Sequence, residues 1–455
     1  MKYPKYPAYK DSGVEWIGEI PEHWTSKKIK HTSYVKGRVG WKGLTSEEYV
    51  SEGYAYLVTG QDFRYQEIDW SSCYCVDKSR YDDDPYIQLR NGDLLITKDG
   101  TIGKLAIVEN LEKPACLNSG IFLVRPINSY TSHFLSWVLR SKTFSSFYDL
   151  RSMGSTIQHL YQNVFDNFSF PIPPIEEQNG IVHYLDSQTI KIDKLISNLN
   201  EMIELLKEKR QVIITHAVTK GLDPNVPMKD SGVEWIGEIP EHWHTVRLKF
   251  LCQLCADYGA NIKSEYYSES GVRFIRITDI NEDGTIVPDG VFVPDYLVKE
   301  KMLKNGDLLF ARSGSVGTSY IHDQNDSSLY SFAGYLVRFR VKDGNFAKFI
   351  YFFSKSQSYY DQIQALSIES TIQNFNGEKF SNMYLPIVDP AEQIIIAKFI
   401  DNKTSKIETI ISNLQKMIEL LKEYRSSLIN QAVTGKIDVQ NIKINEISGS
   451  NKYHG

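Results

Sequence analysis

Residues 10–24 read KDSGVEWIGEIPEHW, and residues 229–243 repeat them letter for letter. No other feature restricts the possible folds as strongly. Propensity selects classes of residue, not fifteen consecutive identities. The repeat therefore records either a duplication or one surface met twice. Later landmarks decide for duplication. Asn91-Gly92-Asp93-Leu94-Leu95 returns as Asn305-Gly306-Asp307-Leu308-Leu309, and DGTIG from Asp99 returns as SGSVG from Ser313. STIQHL from Ser155 matches STIQNF from Ser370, PIPPIEEQ from Pro171 matches PIVDPAEQ from Pro386, and the offsets stay between 214 and 219.

Between the landmarks the halves have drifted apart. GRVGWKGLTSEEYVSEGYAYLVTGQDF shares little with QLCADYGANIKSEYYSESGVRFIRITDI. Frozen ends around divergent middles predict two similar frames that face different targets. The middles are rich in Tyr, Val, Ile, Gly and Asp, with short runs such as LLITKDG, and read as strands separated by turns. After Pro174 and Pro390 come long stretches without a break, with Glu176, Glu177 and Glu392 in the first turn, where a helix favours negative charge.

Those stretches carry the clearest periodicity. Leu185, Thr189, Ile192, Ile196, Leu199, Ile203, Leu206, Arg210, Ile213 and Ala217 alternate steps of four and three, and the same seam runs from Ile400 to Ala432. A heptad seam predicts two helices paired as a coiled coil. Leu195, Met202 and Leu205, with Ile410, Met417 and Leu420, are expected to widen the apolar stripe. About 40 helical residues rise roughly 60 Å, more than one turn of B-DNA at roughly 34–36 Å. An antiparallel pair would hold two β-rich readers apart and leave an unread gap between them.

A length of 455 residues implies two or three domains. No apolar run is long enough to cross a bilayer, and MKYPKYPAYKDSG lacks the apolar segment of a secretory signal, so a cytoplasmic protein is expected. Five cysteines are few and odd in number, which fits reduced thiols. Cys252 and Cys255 lack a second ligand pair for zinc and read as part of a buried helix or strand.

The net charge of −5 hides a segregation, because residues 25–46 contain no acid but hold Lys27, Lys28, Lys30, Lys36, Arg38 and Lys42, with Tyr34 and Trp41 interleaved. Local potential governs binding to phosphates.

Catalytic machinery is not evident. Asp83-Asp84-Pro85-Tyr86 is similar to the D-P-P-Y motif of amino-group DNA methyltransferases, but a proline is replaced and the second half lacks it. No glycine-rich nucleotide turn accompanies it, and there is no GxxxxGK[ST] for ATP. Asp93 and Lys98 lack the intervening acid of a nuclease, and Arg312 replaces the lysine in the second half. The polar residues fit recognition better. Glycine loops beside Lys98, and beside Arg312 and Ser313, suit phosphate contact. Ser155, Thr156 and Gln158, with Ser370, Thr371 and Gln373, offer hydroxyls and amides for phosphate or base edges. Thr59, Gln61 and Arg64 align loosely with Arg276 and Thr278 as candidate base readers.

SGVEWIGEIPEHW at the head of a half, P-x-P-P-x-x-E-Q opening a helix, and Ala217-Val218-Thr219 or Ala432-Val433-Thr434 closing it resemble the specificity subunits of type I restriction-modification systems. The resemblance spans residues 10–436. It implies an α+β fold: two tandem β-rich target-recognition domains separated by two helices that pair as an antiparallel coiled coil with pseudo-two-fold symmetry. The expected boundaries are 1–170 and 222–385 for recognition domains, 171–221 and 386–435 for helical regions, and 436–455 for a polar, partly disordered tail. It further implies a non-catalytic reader of split double-stranded DNA. Two modification subunits, which bind S-adenosylmethionine, and ATP-dependent restriction subunits are the expected partners. The repeated fifteen-residue segment is expected to pack on the helical scaffold or a modification subunit rather than on bases.

Overall fold

The computed structural model describes residues 3–38, 44, 48–64, 66–152, 159–281, 283–324, 328–342, 344–368 and 375–442. The chain divides into two compact units, Met1–Asn198 with Lys416–Gly455, and Leu199–Gln415.

The first unit is built on an antiparallel sheet ordered Leu105–Ile107, Leu94–Thr97, Ile121–Pro126, Ser33–Gly37. The hydrophobic alternation of these strands is weak because both faces are covered. Leu94, Ile96 and Val124 face a core with Phe134, Leu135 and Val138 of the helix Ser132–Arg140, while Leu95 and Leu123 face a second core. That second core is closed by a three-stranded sheet in which Ala55–Val58 lies between Ala115–Leu117, parallel to it, and Tyr74–Val76, antiparallel to it. The second unit repeats this plan. Cys252–Tyr258, Leu336–Val341, Asp307–Ala311 and Ser319–Ile321 form its four-stranded sheet, and Val272–Ile275 lies between Tyr330–Phe332 and Val291–Val293 in its smaller one. The divergent middles therefore share a strand order although their sequences differ.

The repeated NGDLL segments owe their preservation to one interaction. Asp93 is buried and takes two bonds from Arg125, Nε to Oδ1 at 2.7 Å and Nη2 to Oδ2 at 2.8 Å. Asp307 takes the same pair from Arg340 at 2.6 and 2.7 Å. In both, the second carboxylate oxygen also accepts a backbone N–H, from Arg90 or Lys304. Bidentate pairs of this kind fix geometry as well as charge, so Asp93 holds the sheet and is not arranged for hydrolysis.

The fifteen-residue repeat is an anchor. In the first unit Tyr9–Asp11 pairs with Glu19–Pro21, and in the second Met228–Asp230 pairs with Glu238–Pro240. Each hairpin delivers a fully buried tryptophan to a helix start. Trp24 Nε1 donates to Glu177 and Trp243 Nε1 to Glu392, with His23 and His242 on the other carboxylate oxygen. The next residues, Gln178 and Gln393, are buried and turn back onto the carbonyls of Pro173 and Val388. Each hairpin also meets a helix end. Lys436 Nζ reaches the Glu19 carbonyl at 2.6 Å, and Lys220 donates to the Glu238 carbonyl. Gly435 has φ +69°, and an added Cβ would lie 2.4 Å from Pro21, so only glycine fits.

Helix Ile175–Lys220 and helix Pro390–Val433 contribute to both units. In the first unit Asp193 pairs with Arg425 at 2.9 Å, and in the second Arg210 pairs with Glu408. Position advances along one helix as it recedes along the other, which is the antiparallel sense. Leu185, Ile192, Leu199, Ile203, Ile400, Ile407, Ile411 and Ile418 of the seam are buried. The expected widening of the stripe is corrected: Leu195, Met202, Leu205, Ile410, Met417 and Leu420 are all exposed. Two paired helices cover little beyond the seam itself, so flanking heptad positions stay in solvent.

Residues 436–442 belong to the first unit rather than to a free tail. Ile437 and Val439 are buried, and Asp438 N donates to the Pro4 carbonyl at 2.9 Å. The rest of the tail, 443–455, lies outside the described residues. Among the described residues no helix is long and apolar enough to cross a membrane, and no His, Cys, Asp and Glu group could hold a metal ion. Cys252 opens a strand and is buried, whereas Cys255 is exposed.

Candidate nucleic-acid interface

In both units several strand ends meet at one edge. In the first, Gly60 packs so closely on Thr97 that an added Cβ would lie 2.8 Å from its Cγ2. This brings the turn after Ala55–Val58 against the end of Leu94–Thr97. Lys98 N donates to the Gly120 carbonyl at 2.9 Å, and Lys98 O accepts from Leu160 N at 2.9 Å. In the second unit Arg312 makes the same two links, N to the Tyr335 carbonyl at 3.0 Å and O from Phe375 N at 2.9 Å. The glycine loops follow directly, with Gly100, Gly103, Gly314 and Gly317 all at positive φ. Lys98 and Leu160, far apart in sequence, thus converge, as do Arg312 and Phe375.

The chemistry on this common backbone differs. Lys98 Nζ lies 3.3 Å from Asp99 Oδ2, and His159 Nδ1 contacts Asp99 Oδ1. In the second unit Ser313 takes the place of Asp99, and the Arg312 guanidinium lies over the Tyr258 ring, 5.0 Å from its centroid. Sequence reasoning passed over Asp99, His159 and Tyr258. The Asp-to-Ser and His-to-Asn differences between the matched loops were the available signal.

The turns that carry the other candidate readers are built around buried carboxylates. Asp62 Oδ2 accepts from Thr59 N at 2.7 Å and from Thr59 Oγ1 at 2.9 Å. Asp279 Oδ2 accepts from Arg276 N at 3.0 Å. The candidate base reader Arg276 is tied to its own turn, with Nε and Nη2 both donating to Asp279, at 3.2 and 2.7 Å. Burial raises the Asp279 carboxyl, but its bonds from Arg276 and Arg273 outweigh that and hold it below the usual carboxylate range. Thr59 is likewise occupied within its turn, and Arg64 Nη1 donates to the Gln61 carbonyl at 2.6 Å. Gln61 and Thr278 are exposed beside these turns.

Arg38 as a DNA contact is corrected by its burial. It is 3% exposed, and its Nε donates to the Leu117 carbonyl at 2.9 Å, so it braces the joint between the sheets. Lys36 is exposed on the outer strand Ser33–Gly37. Lys42, Ser155, Thr156, Gln158, Ser370, Thr371 and Gln373 lie outside the described residues.

Two copies of one β-rich frame, each clasped to long antiparallel helices and each ending in a differently equipped loop edge, define a tandem recognition protein. The family model for the type I restriction modification DNA specificity domain matches residues 22–205 and again residues 240–420, and the chain belongs to that family. Its relatives include the type I restriction enzyme MjaVIII specificity subunit of Methanocaldococcus jannaschii, 26% identical over 436 residues, covering 93% of this chain and 95% of that protein. The type I restriction enzyme EcoKI specificity subunit of Escherichia coli K12 is 29% identical over 211 residues, 44% of each chain. A chain from a solved structure concerned with complex assembly and conformational transition of the type I R-M system shares the fold. Its TM-score is 0.69 at 16% identity, covering 91% of this chain and 98% of that one.

Proposed function

We propose that this protein is the non-catalytic, DNA-reading subunit of a type I restriction-modification assembly, and that each domain reads one half of a split double-stranded sequence. One observation carries the reading: the same backbone frame presents Lys98, Asp99 and His159 in one domain and Arg312 and Ser313 in the other. Two unlike half-sites need that combination of a constant frame and divergent edge. The helix pair sets the unread gap and docks two modification subunits. The exposed apolar positions Leu195, Met202, Leu205, Ile410, Met417 and Leu420 support that docking, since such side chains in water favour a protein partner. S-adenosylmethionine and ATP belong to the partner subunits in this reading, the chain itself holds no cofactor, and the assembly works in the cytoplasm beside its DNA.

The test is methylation by purified components. The chain with its modification subunits and S-adenosylmethionine should methylate a bipartite sequence with two unlike halves, and the chain alone should transfer no methyl group. Methyl transfer by the chain alone, or a continuous recognition sequence, would overturn the proposal.

A further inference from the structure

The reading above leaves open which side chain tells one base from another. We propose that Arg312 reads a guanine in the half-site of the second domain, using its fork of donors on O6 and N7. The inference rests on the DNA-recognition reading and deepens it.

Arginine in this domain is mostly committed to carboxylates. Arg273 and Arg276 bind Asp279, Arg338 binds Asp257, and Arg340 binds Asp307. The Arg312 side chain has no hydrogen bond or ion pair to any described residue, and its buried Nε has no partner. A buried donor without an acceptor costs free energy, and such costs collect at functional sites. The group is nevertheless held in place. Its backbone is fixed on both sides by Tyr335 and Phe375, and its guanidinium is stacked on Tyr258. The Tyr258 hydroxyl accepts from Gly377 N at 3.0 Å, so the stacking ring is itself anchored. Beyond it no described residue closes off the loop. Gly314 has no atom within 4 Å of where a Cβ would stand, and Tyr335 is 61% exposed.

A phosphate could also occupy an arginine fork. Comparison with the first domain favours a base. Phosphates are the same in both half-sites, so a backbone contact would call for the same chemistry on the same loop. The first domain instead places the Asp99 carboxylate beside Lys98, and that carboxylate would repel a phosphate. It suits an amino group on a base edge, whereas a free arginine fork suits guanine.

The experiment uses the complex of the full chain with its modification subunits. Binding is measured to its methylated sequence and to duplexes in which each guanine in turn is replaced by 7-deazaguanine, which lacks N7. The wild-type complex should lose about tenfold or more at one guanine in one half. Arg312→Ala should lose a similar factor on the natural duplex and show no further loss on that substituted one. Arg312→Lys keeps the charge but drops the fork, and should lose the same discrimination while keeping the salt dependence. Discrimination in the other half, unchanged in both variants, reports that they are folded and assembled. A uniform loss on every sequence with the motif intact would make Arg312 a phosphate contact and overturn the inference, as would full discrimination by Arg312→Lys. A wild-type complex with no sequence preference would instead bring down the recognition reading itself, before any variant is compared.

Discussion

Trp24 donates its indole N–H to Glu177 at 2.9 Å, and this one bond ties the first copy of the repeated segment to the start of a helix, 153 residues apart in sequence. Trp24 is fully buried, and the same carboxylate also receives His23 and Tyr6. The duplicate bond, Trp243 to Glu392 at 3.2 Å, explains why fifteen residues remained identical while their neighbours drifted. Each copy must fit the same helix start.

Glu177→Ala should therefore destabilise the first unit by about 1–3 kcal/mol, because it strands a buried indole donor. Trp24→Phe should cost less in hydrogen bonding but leave a cavity. Urea unfolding followed by circular dichroism reads both. An unchanged midpoint for Glu177→Ala would show that the clasp is dispensable.

Asp307 has no exposed surface and carries Arg340 on both oxygens. Replacing it with alanine leaves an arginine without its partner in a half-buried site and should cost about 3 kcal/mol. Lys263→Ala is the control, since its 3.8 Å pair with Glu265 lies in solvent and should leave the unfolding midpoint where it was.

Burial pushes the Lys355 ammonium down to about 8, with Arg210 adding to the shift and Asp283 opposing it. Its Nζ donates to the Ser319 carbonyl at 3.0 Å. A lysine depressed in the folded state binds fewer protons there than in the unfolded chain, so stability rises with pH above about 8 until the unfolded lysine also loses its proton near 10.5. Lys355→Met should remove that rise. Unfolding midpoints of the two proteins should change relative to each other between pH 7 and 10, and parallel pH profiles would contradict the assignment.

Leu205 and Leu420 are 58% and 64% exposed at matching positions of the two long helices. Glutamate at either site should leave the melting temperature nearly unchanged, since neither side chain is in a core. Assembly with modification subunits should weaken at least tenfold for the pair together. Size-exclusion chromatography of the mixed subunits measures it, and full assembly by the double variant would remove these side chains from the docking surface.

Much of the fold was legible because its determinants are local or periodic. The duplication, the heptad seam through Leu185, Ile192 and Leu199, and strands such as Leu94–Thr97 follow from pattern alone. The candidate site was less legible. Arg38 and Arg276 have the composition of DNA contacts, yet one is spent on the Leu117 carbonyl and the other on Asp279. Nothing in the chain near Arg38 announces a carbonyl 79 residues away. Leu195 and Leu205 look like core residues by hydrophobicity, and solvent exposure follows only from how few neighbours a two-helix pair provides.

By itself the sequence determined the duplication, the common frame of the two halves and the two helices that carry the heptad seam, because repeats and apolar periods are written in the order of residues. Only the tertiary structure decided which charged side chains are already neutralised and which remain available. That depends on carboxylates and carbonyls brought alongside from distant segments. Arg340 meets Asp307 across two strands and is closed, while the Arg312 guanidinium lies over the face of Tyr258 and forms no ion pair among the described residues.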